Sequence, residues 1–243
     1  MKILKHVPNG ITCLNLLCGF YGLILAFQGD LKNAGILIFL ALLFDFFDGF
    51  VARLFKANSI IGKELDSLAD MISFGVLPGI IIFKLACIDY AKLPYEVNVN
   101  FVPWFAYLAG IVPVLSALRL AKFNVDTRQA ESFIGLPTPA NAMVIGALPF
   151  IYLENTFANF RNEIIQISPI AIGIVMSILL VTEVQLIALK FKNYTWRQNS
   201  SKYILILFSI FFVLVYKIYG IPLIIISYFL FSLIENKRVK TKS

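Results

Sequence analysis

Histidine is almost absent from this 243-residue chain, His6 being the only one. A Ser-His-Asp relay or a His-rich metal centre has nothing to be built from. Cysteine is nearly as rare: Cys13, Cys18 and Cys87 all lie in or beside apolar stretches and none is spaced as C-x-x-C. That excludes zinc-ribbon and thioredoxin-type chemistry and leaves packing as their role. Charge is scarce too. Asp, Glu, Lys and Arg make up 14% of residues, against about 25% in soluble globular chains, while 59% are hydrophobic and the mean hydropathy is +0.83. This composition excludes an ordinary water-soluble domain. A phosphate loop is also missing, because around Gly62-Lys63 Ala57 replaces the first glycine and Glu64 the hydroxyl residue. There is no internal repeat and no low-complexity tract.

What the chain has instead is a series of apolar runs. Eight can be marked, at about 9–27, 33–55, 65–87, 101–122, 138–153, 166–189, 203–218 and 221–235. Several approach the ~20 residues a helix needs to cross the hydrocarbon core. The fifth, seventh and eighth are short, and the last two, divided by Tyr219-Gly220, read as a tight hairpin or a re-entrant pair. Lys2 and Lys5 before an apolar run resemble a secretory leader. The run continues to Phe27 without a small-x-small cleavage site, so an uncleaved first span is expected. With the N-terminus in the cytoplasm, sixteen of the 21 Lys and Arg residues fall on the cytoplasmic side, which places both termini there. Asn193 and Asn199, each heading Asn-x-Ser/Thr, then face the cytoplasm and are not glycosylation acceptors. The net charge of +7 is spread between apolar runs rather than gathered on one face, which argues against a nucleic-acid partner. The expected fold is all-α: a polytopic integral membrane protein of about eight transmembrane helices, forming a single domain over 1–243.

Against this background the aspartates stand out. Of seven in the chain, four lie between positions 45 and 70, as Asp45-x-x-Asp48-Gly49-x-x-Ala52-Arg53, eight residues, Gly62-x-x-x-Asp66-x-x-x-Asp70. An ionised side chain at membrane depth costs roughly 2.5–3.5 kcal/mol on insertion scales, and four of one sign repel. The i, i+3 spacing of Asp45 and Asp48 and the i, i+4 spacing of Asp66 and Asp70 put each pair on one helical face. An antiparallel hairpin of the second and third spans brings the two faces together near the cytoplasmic headgroups. Internal pairing would need basic partners, of which only Arg53 is near. Two divalent cations, Mg²⁺ or Mn²⁺, would bring the four carboxylates to neutrality, and all-oxygen ligation suits them. Gly49 and Ala52 clear side-chain bulk beside the acids, leaving room for a flat group such as a nucleotide base. Arg53 offers a phosphate-matching fork, and Gly62 relaxes the backbone where the third helix begins. A cation transporter with intramembrane carboxylates is the rival from another class.

The acidic run resembles, at every specified position, the motif of the CDP-alcohol phosphatidyltransferase family. Pro8-Asn9-x-x-Thr12-x-x-Asn15, Ser73-Phe74-Gly75, Arg119-Leu120-Ala121-Lys122-Phe123-Asn124 and Gly135-Leu136-Pro137-Thr138-Pro139-Ala140 are similar to its phosphatidylserine synthase branch. The likeness covers about residues 1–150, the catalytic part, and leaves the C-terminal helices at about 166–236 outside it. The resemblance implies a membrane enzyme that displaces CMP from a CDP-diacylglycerol-type lipid by the hydroxyl of L-serine. The active site would face the cytoplasm at the inner membrane, and the enzyme would be a homodimer. By motif position it implies Asp45, Asp48 and Asp66 as metal ligands and Asp70 as general base sharing the metal site. Pro8, Asn9, Thr12, Asp48, Gly49, Ala52, Arg53 and Gly62 would border the nucleotide and diphosphate, and Arg119, Lys122 and Asn124 the acceptor. Glycerol 3-phosphate or inositol phosphate is the alternative acceptor within the family. Arg119, Lys122 and Arg128 are interleaved with Asp126 and Glu131, a mixed balance that suits a zwitterion better than a phosphate. Glu183, near the end of the sixth run, reads as a structural hydrogen-bonding residue.

Overall fold

The computed structural model describes residues 6–57, 59–89, 102–126, 133–154, 162–186 and 196–240. Arg128, Glu131 and Asn193 lie outside them. Among the described residues, each of the eight apolar runs contains helix. Helix α1 is Val7–Phe27 and α2 is Leu31–Leu54. Helix α3, Ile60–Asp70, runs on through a π-helical stretch, Met71–Val76, into α4, Leu77–Ala86. A 3₁₀ stretch, Trp104–Gly110, leads into α5, Ile111–Val125. The remaining helices are α6 (Thr138–Tyr152), α7 (Asn162–Val181), α8 (Trp196–Tyr216) and α9 (Ile221–Lys240). Among the described residues six stretches are long and apolar enough to cross a membrane, Lys202–Glu235 counting as one of them, and Thr138–Tyr152 is a shorter apolar helix.

Local chemistry sets the boundaries that matter for the site. Pro8 sits in the first turn of α1, where its missing N–H costs nothing. Gly29, at φ +88°, turns the chain out of α1. Asp30 then caps α2, its carboxylate accepting from the Asn33 amide at 3.2 Å. Ser59 caps α3 by accepting from the Gly62 amide at 2.9 Å. Gly62 therefore lies inside a regular first turn and is not a point of backbone relaxation. A Cβ there would stand 2.9 Å from Ser59 Oγ and 3.0 Å from Asn9 Oδ1, so what the position requires is space.

One further expectation is corrected. The sixth run does not stay helical beyond Val181. Helix α7 stops at Val181, where Thr182 Oγ1 turns back to bond the Leu179 carbonyl at 2.9 Å. The chain then forms a two-residue strand, β2 (Gln185–Leu186), antiparallel to β1 (Phe133–Ile134). Gly135, at φ +74°, packs directly on the Leu180 and Thr182 carbonyls and donates to the Val184 carbonyl, so the turn after β1 and the end of α7 are fitted together. The last two runs form a tight hairpin through a 3₁₀ turn, Lys217–Gly220, with Phe208 of α8 against Phe231 of α9.

Helix α1 packs along α2 and also touches α3, the π-helical stretch and α4. Leu31, Ile38, Phe74, Leu77, Ile81, Ile82, Leu85, Val112 and Ile145 are fully buried among these elements and α5 and α6. Cys18 and Cys87 belong to this core, whereas Cys13 is exposed. Small residues make the crossings close. A Cβ on Gly35 of α2 would run into the Gly146 carbonyl oxygen of α6, a backbone atom that cannot rotate aside. Gly35→Ala is expected to lower the unfolding free energy by about 1–3 kcal/mol, read as a lower unfolding temperature in detergent. Gly10→Ala, where a Cβ meets nothing within 4 Å, should leave that temperature unchanged or raise it. Equal behaviour of the two variants would show that the α2–α6 crossing is not as tight as described.

Candidate active site

Asp45 and Asp48 come from the second half of α2, and Asp66 from the second half of α3. One carboxylate oxygen from each lies within 4.8 Å of the others. At that separation and an effective dielectric of ~20, each pair of negative charges repels by about 3–4 kcal/mol. Three pairs together approach the whole folding stability of a typical domain. Asp48 is relieved in part by Thr12 Oγ1 of α1, which donates to its Oδ2 at 2.6 Å, and by the Gly49 amide. Asp66 Oδ1 is buried without a hydrogen-bond partner. Three hard oxygen donors, one of them buried with no proton donor to meet it, fit a divalent cation of the Mg²⁺ or Mn²⁺ type.

Asp70 stands apart from this triad. It is buried, and its Oδ1 accepts from Asn15 Nδ2 of α1 at 3.1 Å. It remains within electrostatic reach of Asp45, Asp66 and Asp48. The two-helix hairpin expected from the spacing is therefore incomplete, because α1 forms a third wall. Thr12 and Asn15, three residues apart on one face of α1, reach α2 and α3 respectively.

A cavity of about 700 Å³ opens beside the triad, within the range of small-molecule sites. Pro8, Asn9, Thr12, Asp48, Gly49, Ala52 and Gly62 all line it, together with Asp66. A Cβ on Gly49 would meet only Arg53 Nη1, at 3.9 Å, so the floor beside Asp48 is open. Arg53 itself is exposed and lies beside the lining rather than in it. Ala57, Ser59, Ile60, Lys63 and Glu64 also line the cavity. Sequence reasoning had not singled these out for binding, and only their nearness to the motif could have signalled them.

A second cavity, of about 270 Å³, is bounded by Arg119, Lys122, Val125, Asp126, Ile134, Leu180, Val181, Thr182 and Glu183. Arg119 is buried, lies over the Phe123 ring at 4.7 Å and is within electrostatic reach of Asp70. Lys122 is exposed on the rim. Asn124, grouped with these two from the sequence, ties α5 to α3. Its Nδ2 donates to Ser67 Oγ at 2.8 Å, and its carbonyl accepts from Lys63 Nζ at 2.9 Å. Thr138 and Asn141, at the start of α6, are completely buried with side-chain polar atoms that have no partner. Glu183 lines this cavity, and the end of α7 contributes to it.

Apolar helices surrounding an acidic, cation-suited centre with a nucleotide-sized cavity define an integral membrane protein built around a polar site. The chain belongs to the CDP-alcohol phosphatidyltransferase family, whose sequence model matches residues 5–185. It is 33% identical over 150 residues to a CDP-diacylglycerol–serine O-phosphatidyltransferase of Bacillus subtilis, covering 61% of this chain and 78% of that one. It is 37% identical over 166 residues to an archaetidylserine synthase of Methanothermobacter thermautotrophicus, covering 67% and 64%. A CDP-diacylglycerol–serine O-phosphatidyltransferase of Helicobacter pylori is 29% identical over 208 residues, covering 85% and 81%.

Losing a hydrogen-bond donor to a metal-binding carboxylate typically costs about 10–100-fold in metal affinity. Thr12→Val should therefore weaken Mn²⁺ binding by about that factor, measured by electron paramagnetic resonance on the detergent-solubilised chain, and Asp66→Ala should weaken it further. Wild-type affinity in both variants would remove the triad as a metal site.

Proposed function

We propose that this chain transfers the phosphatidyl group of a CDP-diacylglycerol-type lipid to the hydroxyl of L-serine, giving phosphatidylserine and CMP. The observation that carries the reading is the larger cavity. Seven residues expected to border the nucleotide and diphosphate converge on it beside the acidic triad. The names of the relatives add the serine assignment.

In this reading the cytidine diphosphate lies over Gly49 and Ala52, with Pro8, Asn9, Thr12 and Gly62 around it and Arg53 at the diphosphate. Asp45, Asp48 and Asp66, with a share from Asp70, hold two divalent cations, which when bound supply positive charge to the diphosphate. Asp70 takes the proton from the acceptor hydroxyl. Serine enters from the side of the second cavity, where buried Arg119 faces its carboxylate and Lys122 stands at the rim. The acids Asp126 and Glu183 in the same lining balance the charge. That mixed lining suits a zwitterion, whereas a phosphorylated acceptor brings about two further negative charges and calls for converging basic groups. The site opens to the cytoplasm, in keeping with both termini inside and the positive-inside bias. The homodimer rests on the family resemblance alone.

Asp70→Asn keeps the shape of the side chain and removes its proton affinity. Turnover should fall by about 10²–10⁴-fold, while equilibrium binding of the CDP-lipid persists. Near-normal turnover would move the base elsewhere.

Acceptor identity is checked by CMP release from the purified chain supplied in turn with serine, glycerol 3-phosphate and inositol phosphate. Only serine should support it, and Arg119→Ala should raise KM for serine more than KM for the lipid. Release with a phosphorylated acceptor alone would sink the serine assignment and leave the family standing. Metal-dependent ion flux without CMP release would favour a transporter.

A further inference from the structure

Asn15 has no place in the reading so far, yet it is tied to the reaction centre more tightly than most residues that do. It is completely buried in α1. Its main-chain carbonyl accepts from Ser73 Oγ at 2.9 Å, and its side-chain Nδ2 donates to Asp70 Oδ1 at 3.1 Å. Both partners lie more than fifty residues away in sequence. The nitrogen faces the carboxylate because two acceptor oxygens facing one another would repel.

The surrounding helices are shaped to bring this contact about. A Cβ on Gly19, one turn further along α1, would stand 2.5 Å from Ser73 Oγ and 3.0 Å from Ser73 Cα. Gly22, a further turn on, lies directly against the Leu77 side chain. Two glycines on one face thus let α1 settle onto the π-helical stretch and α4, delivering the Asn15 carboxamide to Asp70.

The other end of that carboxamide is unused, for Asn15 Oδ1 is buried without a partner. Leaving a buried acceptor unpaired is costly. An asparagine kept only to staple helices would be expected to use both ends or to be replaced by an apolar residue.

We propose that Asn15 is a positioning residue: by donating to Asp70 Oδ1 it fixes the carboxylate rotamer and leaves Oδ2 as the oxygen that receives the acceptor's proton. The proposal rests on Asp70 being the base. The step balances simply. The acceptor's O–H proton passes to Asp70 Oδ2, the acceptor oxygen bonds to the lipid-side phosphorus, and the P–O bond to CMP breaks, CMP leaving with the electron pair. With Asn15 absent, the carboxylate loses the donor that fixes its orientation.

The test uses the full chain in lipid nanodiscs, with CDP-diacylglycerol, radiolabelled serine and Mn²⁺, and four variants: Asn15→Leu, Asn15→Ala, Asp70→Asn and the Asn15→Leu/Asp70→Asn pair. Misplacing a reacting group by about 1 Å can cost ~10²-fold. The Asn15 variants should therefore lose about 10–100-fold in kcat, with KM for the lipid and its equilibrium binding close to wild type. In the Asp70→Asn background the Asn15→Leu change should cost nothing more, because residues acting through one another are not additive. Wild-type kcat in both Asn15 variants, or a loss that multiplies in full with that of Asp70→Asn, would overturn the proposal. Failure of both Asn15 variants to fold would assign Asn15 to the scaffold and overturn it too. Near-normal turnover of Asp70→Asn alone would instead strike at the base assignment, so the two failures are told apart.

Discussion

Holding carboxylates of one sign close together inside a largely apolar helical assembly is the constraint on which the rest of this structure depends. Asp45, Asp48 and Asp66 converge within 4.8 Å, with Asp70 buried close by. Burial weakens the screening that water would give. The protein meets the cost at short range with donors from α1, Thr12 to Asp48 and Asn15 to Asp70. Helix α1 can do this only by lying close to both α2 and the α3–α4 stretch, and Gly19 and Gly22 make the second approach possible. The donors cover single oxygens and leave Asp66 Oδ1 bare. That leaves a bare, buried oxygen facing two other carboxylates, an arrangement that suits a cation.

The helical runs and the acidic motif were legible in the sequence because each is a local pattern. Twenty apolar residues announce a span wherever it packs, and i, i+3 or i, i+4 spacing fixes a shared face before any tertiary contact is known. The residues from Pro8 to Gly62 that family likeness groups together all line one cavity, except Arg53. Three features were not legible, each set by contacts remote in sequence. Family likeness already put Pro8, Asn9 and Thr12 of the first span at the site, but not the hydrogen bonds, spanning 36 and 55 residues, by which Thr12 and Asn15 reach the aspartates. The end of α7 is decided by Gly135 docking on the Leu180 and Thr182 carbonyls, which hydropathy does not register. Asn124 sits in a basic segment that invites an acceptor-binding role, yet its carboxamide is spent on Ser67.

The π-helical stretch Met71–Val76 follows Asp70 at once and joins the two halves of the site. Within it Ser73 bonds the Asn15 carbonyl, and a Cβ on Gly75 would stand 3.2 Å from the Ser116 side chain of α5. Ser116 lies one turn before Arg119, so the approach allowed by Gly75 helps set how far along Arg119 falls relative to Asp70. π-turns inside α-helices are frequent at functional sites. Here the stretch fixes α1 on one side and α5 on the other with Asp70 at its head. In the proposed reading, a carboxylate that serves both a phosphate against α1 and α2 and a hydroxyl arriving past α5 has to be referenced to both helices at once. Ser73 and Gly75, two residues apart in that stretch, provide the two references.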